Sequence, residues 1–283
     1  MIFRTFQKLI PCSFLFIVLF LSSCSSSSTL QHPTTSATLW AQNAAEYKAL
    51  TTSVYNTALS NLGMAIEDSY WTAYPKQQDQ EIHRLPPAVI LDVDETVLDN
   101  SPFQARMIKQ NSSFDPQQWN DWVMEAKANP VPGALTFTQR AASQGVAVFY
   151  LTNREATVEE GTRQNLKELG FPLADDEDRI LSNHERENWT SAKTKRRAYV
   201  AKNHRIIMIF GDDLNDFVSA KDISQKERTK IIDSNQDKWG IFWYILPNPV
   251  YGSWENALYN FDDSLSPTQI DSAKKAGLNT KKK

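Results

Sequence analysis

Cysteine is nearly absent from this chain of 283 residues, and both copies, Cys12 and Cys24, precede the globular part. No disulfide can therefore form within the fold, whatever the compartment. The four histidines show no spacing typical of metal ligands, so no zinc site is predicted. The chain also lacks a basic excess. Its formal net charge of −3 argues against binding to a nucleic-acid polymer.

The start of the chain has the pattern of an export signal. Arg4 and Lys8 give it a positive end, and the apolar run at 12–21 is too short for an ordinary transmembrane helix. The sequence Leu-Ser-Ser-Cys that ends at Cys24 is typical of a bacterial lipobox, in which cleavage leaves a lipid-modified cysteine. A plain secretory signal is the alternative, because the two serines before Cys24 also fit its cleavage site.

We therefore predict a lipoprotein signal peptide over 1–23 and an exported protein, anchored to the bacterial cell envelope through lipid on Cys24. Ser25 at the next position favours the outer membrane in a host that has one.

The rest of the chain divides by composition. Serine and threonine dominate 24–39, which predicts a flexible tether. From residue 40 onward, apolar residues recur at spacings of three, four or seven, which predicts a helix within 40–85 that packs on the main domain. The main domain follows at 86–265 with a helical insertion at about 101–132, and 266–283 is predicted as a polar, frayed tail.

Apolar runs predict the strands of the main domain. They lie at 88–91, 146–151, 206–210 and 241–246, with a shorter one at 179–181. Helical patterns separate these strands, which predicts a parallel sheet with right-handed crossovers and helices on both faces. The predicted fold class is thus α/β, a Rossmann-like parallel sheet with a smaller helical insert.

Two carboxylates, Asp92 and Asp94, directly follow the first predicted strand. In a continuing strand they would face opposite sides, so both can serve one site only if the backbone turns immediately after Asp92. A solvated acidic turn is the alternative. A calcium-binding loop is excluded, because Val97 stands where that loop needs glycine and Phe103 where it needs glutamate.

Polar clusters follow three of the predicted strands. Asp92 is in the first, Thr152 and Asn153 in the second, and Asp212 and Asp216 in the third. Because the carboxyl ends of parallel strands share one edge of the sheet, and ligands bind at that edge, we expect these clusters to form one site.

The sequence D-x-D-x-T at 92–96 resembles the first motif of the haloacid dehalogenase superfamily of phosphotransferases. Thr152, Lys193 and G-D-x-x-x-D at 211–216 match the superfamily's other three motifs. The stretches 90–102, 132–134, 149–154, 211–217 and 246–255 are similar to the class C acid phosphatases, and within them to the bacterial lipoprotein e type of 5′-nucleotidase.

This resemblance implies a haloacid-dehalogenase-like catalytic domain that hydrolyses small phosphomonoesters, such as nucleoside monophosphates or aryl phosphates. It implies that Asp92 attacks phosphorus to give an aspartyl-phosphate and that Asp94 is the general acid and base. Asp92, the Asp94 carbonyl and Asp212 would supply oxygen ligands for Mg²⁺. Lys193 and the Thr152 hydroxyl would face the phosphoryl oxygens.

Several assignments keep an alternative. Lys195 competes with Lys193 as the motif lysine. Asp216 is expected to orient a metal-bound water or Lys193, whereas Asp213 is expected to be exposed and without a role. Asn153 either binds phosphate or caps the following helix.

Aromatic residues near the predicted site raise the question of substrate choice. Tyr251 follows the last predicted strand and is the candidate for stacking on a base or an aryl group. Trp119 and Trp122 are expected to form the core of the insertion. The competing functions are a non-catalytic binding lipoprotein with the same fold, and a phosphomutase or a phosphatase of a different substrate class.

Overall fold

The computed structural model describes residues 32–78 and 80–281. The predicted signal peptide, the lipobox with Cys24 and the first part of the tether lie outside these residues. No helix in the described part of the chain combines the length and the hydrophobicity that a membrane crossing requires.

A parallel sheet of five strands forms the centre of the domain, as predicted. The strands of the described residues are β1 Pro87–Leu91, β2 Leu98–Asp99, β3 Asn129–Pro130, β4 Ala147–Glu155, β5 Ile180–Asn183, β6 Arg205–Gly211 and β7 Trp243–Ile245. The sheet has the order β5-β4-β1-β6-β7, and β2 pairs with β3 in an antiparallel ribbon. Ile90 at the centre pairs with Phe149 of β4 and with Ile209 of β6.

Helices cover both faces of the sheet. They are α1 Thr35–Asn43, α2 Ala45–Glu67, α3 Ser101–Gln110, α4 Pro116–Met124, α5 Ala134–Ser143, α6 Glu159–Leu169, α7 Thr194–Val200, α8 Gln225–Asp233, α9 Ser253–Asn256 and α10 Pro267–Ala276. Successive residues of β1 enter two different cores, because strand side chains alternate between faces. Val89 and Leu91 belong to one apolar cluster, Ala88 and Ile90 to the other.

The N-terminal helices differ from the prediction of a tether to residue 39 and one helix after it. Helix α1 already begins at Thr35, and Thr38 is buried. The backbone is extended at Ala44, where ψ is 126°, so α2 starts anew at Ala45. The sequence gives no sign of this break, because neither proline nor glycine marks it.

Helix α2 packs on the main domain, as its apolar pattern predicts. Tyr55 of α2 is buried, its ring stacks on Phe210 of β6, and its hydroxyl donates to the Thr96 carbonyl at 2.7 Å. Gly133, before α5, lets the chain pass close to Tyr55, since a Cβ there would lie 2.9 Å from the Tyr55 side chain. Helix α2 therefore supports the loop that follows β1.

Other boundaries also differ from the sequence prediction. Strand β4 continues to Glu155 instead of ending at residue 151, so Thr152 and Asn153 lie inside it. Helix α7 begins at Thr194, directly after Lys193. The predicted tail contains α10, whose start is fixed by Ser266 and Gln269 in a capping box. No residue of α10 is buried, so this end of the described chain is helical but solvated.

Candidate active site

The carboxyl ends of β1, β4 and β6 meet at one edge of the sheet, where a cavity of about 660 Å³ opens. Asp92, Asp94, Asn153, Lys193, Asp212, Asp216 and Tyr251 all line this cavity. The structure thus brings together residues that the sequence places up to 159 positions apart, at the sheet edge where the topology predicts them.

A tight turn allows Asp92 and Asp94 to face the same cavity. Glu95 adopts a left-handed conformation with φ of 56°, and the amides of Val97 and Leu98 both donate to the Val93 carbonyl at 2.9 Å. Left-handed backbone is uncommon for residues other than glycine and is found at functional sites. The chain reverses immediately after Asp92, as a shared site requires.

Asp92, Asp212 and Asp216 form a cluster of carboxylates, whose nearest oxygens lie within 4.8 Å of one another. The Lys193 ammonium lies between two of them, in contact with the Asp92 carboxylate and 2.6 Å from Asp216 Oδ1. Lys193 is 3% exposed, whereas Lys195, two residues later, is exposed. Of the two candidate lysines, the structure places only Lys193 among the acidic residues.

Burial and like charge shift the pKa values of this cluster. Burial raises the pKa of Asp92. The nearby charges of Asp216 and Asp94 raise this pKa further, and the Lys193 ammonium lowers it. Burial, with Asp92 and Asp216, raises the pKa of Asp212 well above its ordinary value. Burial alone would lower the pKa of Lys193, but Asp216 and Asp92 hold it above its usual range. One ammonium does not balance three carboxylates, so a further positive charge would favour the ionised forms of Asp92 and Asp212.

A divalent cation fits this donor set. Carboxylate oxygens are hard ligands, and Mg²⁺ is commonly held by one or two carboxylates together with waters and substrate oxygens. Asn248 donates to Asp212 Oδ2 at 2.8 Å, which orients that carboxylate and leaves its other oxygen for a cation. Asp216 contacts Lys193 directly, in agreement with the predicted orienting role.

Gly211 allows the close approach of Asp216 to the end of β6. A Cβ at residue 211 would overlap the Asp216 side chain, so only glycine fits there. Asp216 Oδ2 also accepts from the Asp213 amide at 3.0 Å. The G-D-x-x-x-D spacing at 211–216 therefore has a steric reason.

Asp94 lies within a network of donors. Asn100 Nδ2 donates to its Oδ1 at 2.8 Å, and Arg154 Nε donates to the same oxygen at 2.9 Å. The Thr152 hydroxyl lies 3.4 Å from Asp94 Oδ2 and accepts from the Arg154 amide at 3.0 Å. Thr152 is fully buried and points to Asp94, which differs from the expected contact with phosphoryl oxygens.

Glu95 connects the turn after β1 to the loop after β7. Its carboxylate accepts from the Asn100 amide at 3.0 Å and from the Tyr251 hydroxyl. Burial raises the pKa of Glu95 to about 8, with Asp94 adding to the effect and the Tyr251 hydroxyl opposing it. Tyr251 thus has its hydroxyl bound to the turn, while its ring lines the cavity.

Three smaller expectations are corrected or decided. Asp213 was expected to be exposed and without a role, but it is half-buried. Its carboxylate accepts from the Asn215 amide at 2.9 Å and from the Ser253 amide at 2.8 Å, and so joins two loops. Asn153 does not cap the following helix, because its Oδ1 accepts from Arg196 at 2.6 Å. Trp122 is insertion core, as expected, whereas Trp119 lines the cavity beside Phe114.

Four further site residues had no role assigned to them in the sequence analysis: Glu95, Asn100, Arg154 and Asn248. Arg154 is 2% exposed, pairs with Asp94 at 2.8 Å and donates to Asn100 Oδ1 at 3.2 Å. A charged residue one position beyond the predicted polar cluster of β4 was the available signal for it. For Asn248 the signal was its place between two prolines after the last strand.

Comparisons with known proteins identify the family. A profile described as HAD superfamily, subfamily IIIB (acid phosphatase) matches residues 21–254. The chain belongs to this family, and the predicted resemblance to the class C acid phosphatases is confirmed.

Solved structures and curated relatives agree with this family. The chain is 34% identical to the class C acid phosphatase from Bacillus anthracis with tungstate bound, with a TM-score of 0.77, over 89% of this chain and 98% of that one. It is 28% identical to Acid phosphatase 1 of Solanum lycopersicum over 57% of each chain. It is 25% identical to the Stem 28 kDa glycoprotein of Glycine max, over 63% of this chain and 65% of that protein's length.

Proposed function

We propose that this protein is a Mg²⁺-dependent acid phosphatase that hydrolyses small phosphomonoesters through an aspartyl-phosphate on Asp92. The observation that carries the proposal is the cluster of Asp92, Asp212 and Asp216 around the Lys193 ammonium, in a cavity that Asp94 also lines. Family membership supports the same reaction class.

The first step transfers the phosphoryl group to the protein. An oxygen of the Asp92 carboxylate forms a bond to phosphorus as the bond from phosphorus to the ester oxygen breaks. Asp94 gives its proton to the departing alkoxide, so that a neutral alcohol leaves. The Lys193 ammonium offsets the negative charge of Asp92 and of the incoming phosphate.

The second step releases phosphate. Asp94, now a carboxylate, accepts a proton from water while the water oxygen attacks phosphorus, and the bond to the Asp92 oxygen breaks. Asn100 and Arg154 hold Asp94 in place for both proton transfers. Mg²⁺, held by Asp92, the Asp94 carbonyl and Asp212, would supply further positive charge against the phosphoryl oxygens.

The proposed substrates are nucleoside monophosphates or aryl phosphates. A volume of about 660 Å³ leaves room beyond a phosphate group and lies in the range of small-molecule sites. Besides the carboxylates, three aromatic residues line the cavity: Phe114, Trp119 and Tyr251. Such faces favour flat leaving groups, which supports a 5′-nucleotidase-like preference.

The proposed location is the bacterial cell envelope, with lipid on Cys24 as the anchor. Only seven residues lie between Cys24 and His32, where the described structure begins. The anchor would therefore hold the catalytic domain close to the membrane surface.

A hydrolysis panel tests the proposal. Purified protein is assayed for phosphate release from nucleoside monophosphates, sugar phosphates, aryl phosphates and glycerol phosphate, with Mg²⁺ and with EDTA. We expect turnover of nucleotides and aryl phosphates that EDTA abolishes and Mg²⁺ restores. Binding of phosphate esters without turnover would instead support a non-catalytic binding protein. Transfer to a second hydroxyl of the substrate would support a phosphomutase.

A further inference from the structure

Two neighbouring arginines on α7, Arg196 and Arg197, are buried. Arg196 is 0% exposed and Arg197 2%, while Lys195 beside them is exposed. A buried guanidinium is costly unless its donors find partners. The partners of each arginine therefore indicate what it does.

Arg196 joins the ends of two strands to the segment before α7. Its Nη1 donates to the Leu181 carbonyl of β5 at 3.2 Å and contacts the Thr152 carbonyl of β4. Its Nη2 donates to the Thr190 carbonyl at 2.7 Å and to Asn153 Oδ1 at 2.6 Å. One side chain thus fixes the backbone on which Thr152 and Asn153 are carried.

The contact with Asn153 also sets the orientation of its amide group. Because Oδ1 accepts from Arg196, the amide nitrogen remains as a donor, and Asn153 is exposed and lines the catalytic cavity. A donor at this position suits a phosphoryl oxygen. Arg196 therefore prepares the side of the cavity that faces the substrate phosphate.

Arg197 binds a different part of the site, the loop after β6. Its Nη1 donates to the carbonyls of Asn215 at 3.0 Å and Asp216 at 2.8 Å. Asp216 in turn contacts Lys193, one helical turn before Arg197, and belongs to the carboxylate cluster. Burial lowers the pKa of Arg197, and Asp216 opposes that shift. This arginine therefore supports the acidic side of the site.

We propose that Arg196 and Arg197 are positioning residues with separate tasks: Arg196 orders the strand end that carries Thr152 and the phosphate-facing Asn153, and Arg197 orders Asp216 within the cation-binding cluster. Helix α7 and the residue before it thereby position three parts of the site: the end of β4, the loop after β6 and the Lys193 ammonium. This inference rests on the proposed function. Neither arginine contacts the reacting atoms, and each acts through the loop that it holds.

Separate readouts for cation and phosphate test this division. The first is the Mg²⁺ concentration that produces half of the Mg²⁺-dependent rise in melting temperature, measured without substrate. The second is the inhibition constant of inorganic phosphate at saturating Mg²⁺. We expect Arg197→Met to raise the half-saturating Mg²⁺ concentration by about 10–100-fold. Arg196→Met should leave that value within about twofold and raise the phosphate inhibition constant about tenfold.

Matched variants show whether a change in either readout comes only from the loss of a positive charge on α7. Lys195→Met removes a charge from the same helix without removing a buried contact, and we expect wild-type values for both readouts. Arg196→Lys and Arg197→Lys keep the charge but lose the planar fork that reaches several carbonyls, so each should reproduce most of its Met variant's effect. The lysine variants also keep the test available where a methionine variant is too unstable.

The outcomes separate this inference from the proposed function. If the wild type is active with Mg²⁺ but both arginine variants change the two readouts equally, the division of tasks is wrong. Wild-type values in the lysine variants would show that charge alone matters. If the wild type hydrolyses no phosphomonoester, the proposed function fails, while the Mg²⁺-dependent melting of Arg197→Met still reports on the cation-binding cluster.

Discussion

Glu95 and Tyr251 are 156 residues apart in the chain, yet the Tyr251 hydroxyl donates to the Glu95 carboxylate. The hydroxyl and the ring of Tyr251 therefore have separate roles. The hydroxyl stabilises the turn that places Asp92 and Asp94, and the ring lines the cavity. Changes at this residue can therefore affect either the turn or the substrate, and two substitutions distinguish them.

Tyr251→Ala removes the ring, whereas Tyr251→Phe keeps the ring and removes only the hydroxyl. Stacking of a base on an aromatic ring contributes about 1–3 kcal/mol. We expect Tyr251→Ala to lower kcat/KM for nucleoside monophosphates and aryl phosphates by roughly tenfold or more. The value for glycerol phosphate should fall much less, and Tyr251→Phe should keep the preference. An equal loss on all substrates in both variants would show that Tyr251 acts only through Glu95.

At the level of single residues, the sequence predicted the charged centre of the site but not its supports. Asp92, Asp94 and Asp212 stood out because acidic residues directly follow apolar strands. Asn100, Arg154 and Asn248 gave no comparable signal, since their roles depend on partners that the fold brings close. Arg154, for example, meets Asp94 from 60 residues away.

At the level of elements, most helices and strands followed from apolar runs and from glycine or proline at their ends. Helix α6, for example, ends where Gly170 adopts φ of 82°, a conformation that favours glycine. The break at Ala44 and the extension of β4 to Glu155 were missed. Both depend on tertiary contacts, which local sequence does not show.

The contact between α2 and β6 makes a prediction for stability. Arg205 is 3% exposed and donates to carbonyls at and after the C-terminal end of α2: Ala65 at 2.9 Å, Ile66 at 3.0 Å, Asp68 at 2.7 Å and Trp71 at 3.0 Å. Arg205→Met would remove the guanidinium donor that these carbonyls share. We expect the free energy of unfolding to fall by about 2–4 kcal/mol.

Chemical denaturation of the folded domain measures this loss. Arg84→Met is the matched control, because Arg84 is exposed and lies shortly before β1. Its free energy of unfolding should change by less than about 0.5 kcal/mol. Equal values for the two variants would show that Arg205 does not hold α2 to the sheet.

At the level of the whole molecule, Cys24 lies outside the described residues, and its role remains a prediction from the lipobox pattern. Cys24→Ser should leave kcat/KM unchanged, because the catalytic residues all lie from residue 92 onward. The variant should move from the membrane fraction to the soluble or unprocessed pool, since several acyl chains together anchor a protein firmly. Sedimentation of a correctly processed serine variant with the membranes would contradict the lipid anchor.

Formation of a phosphoryl bond on Asp92 tests the central claim most directly. The probe is p-nitrophenyl phosphate, whose leaving group needs little protonation, mixed with the Asp94→Asn variant and quenched in acid. Without its base, this variant should form the phosphoenzyme but hydrolyse it on the order of 10²–10⁴-fold more slowly than the wild type. Peptide mass spectrometry should then find a phosphoryl group on Asp92, and the Asp92→Asn variant should show neither that adduct nor turnover. Near-wild-type turnover in Asp92→Asn, or a phosphoryl group on another residue, would contradict the account.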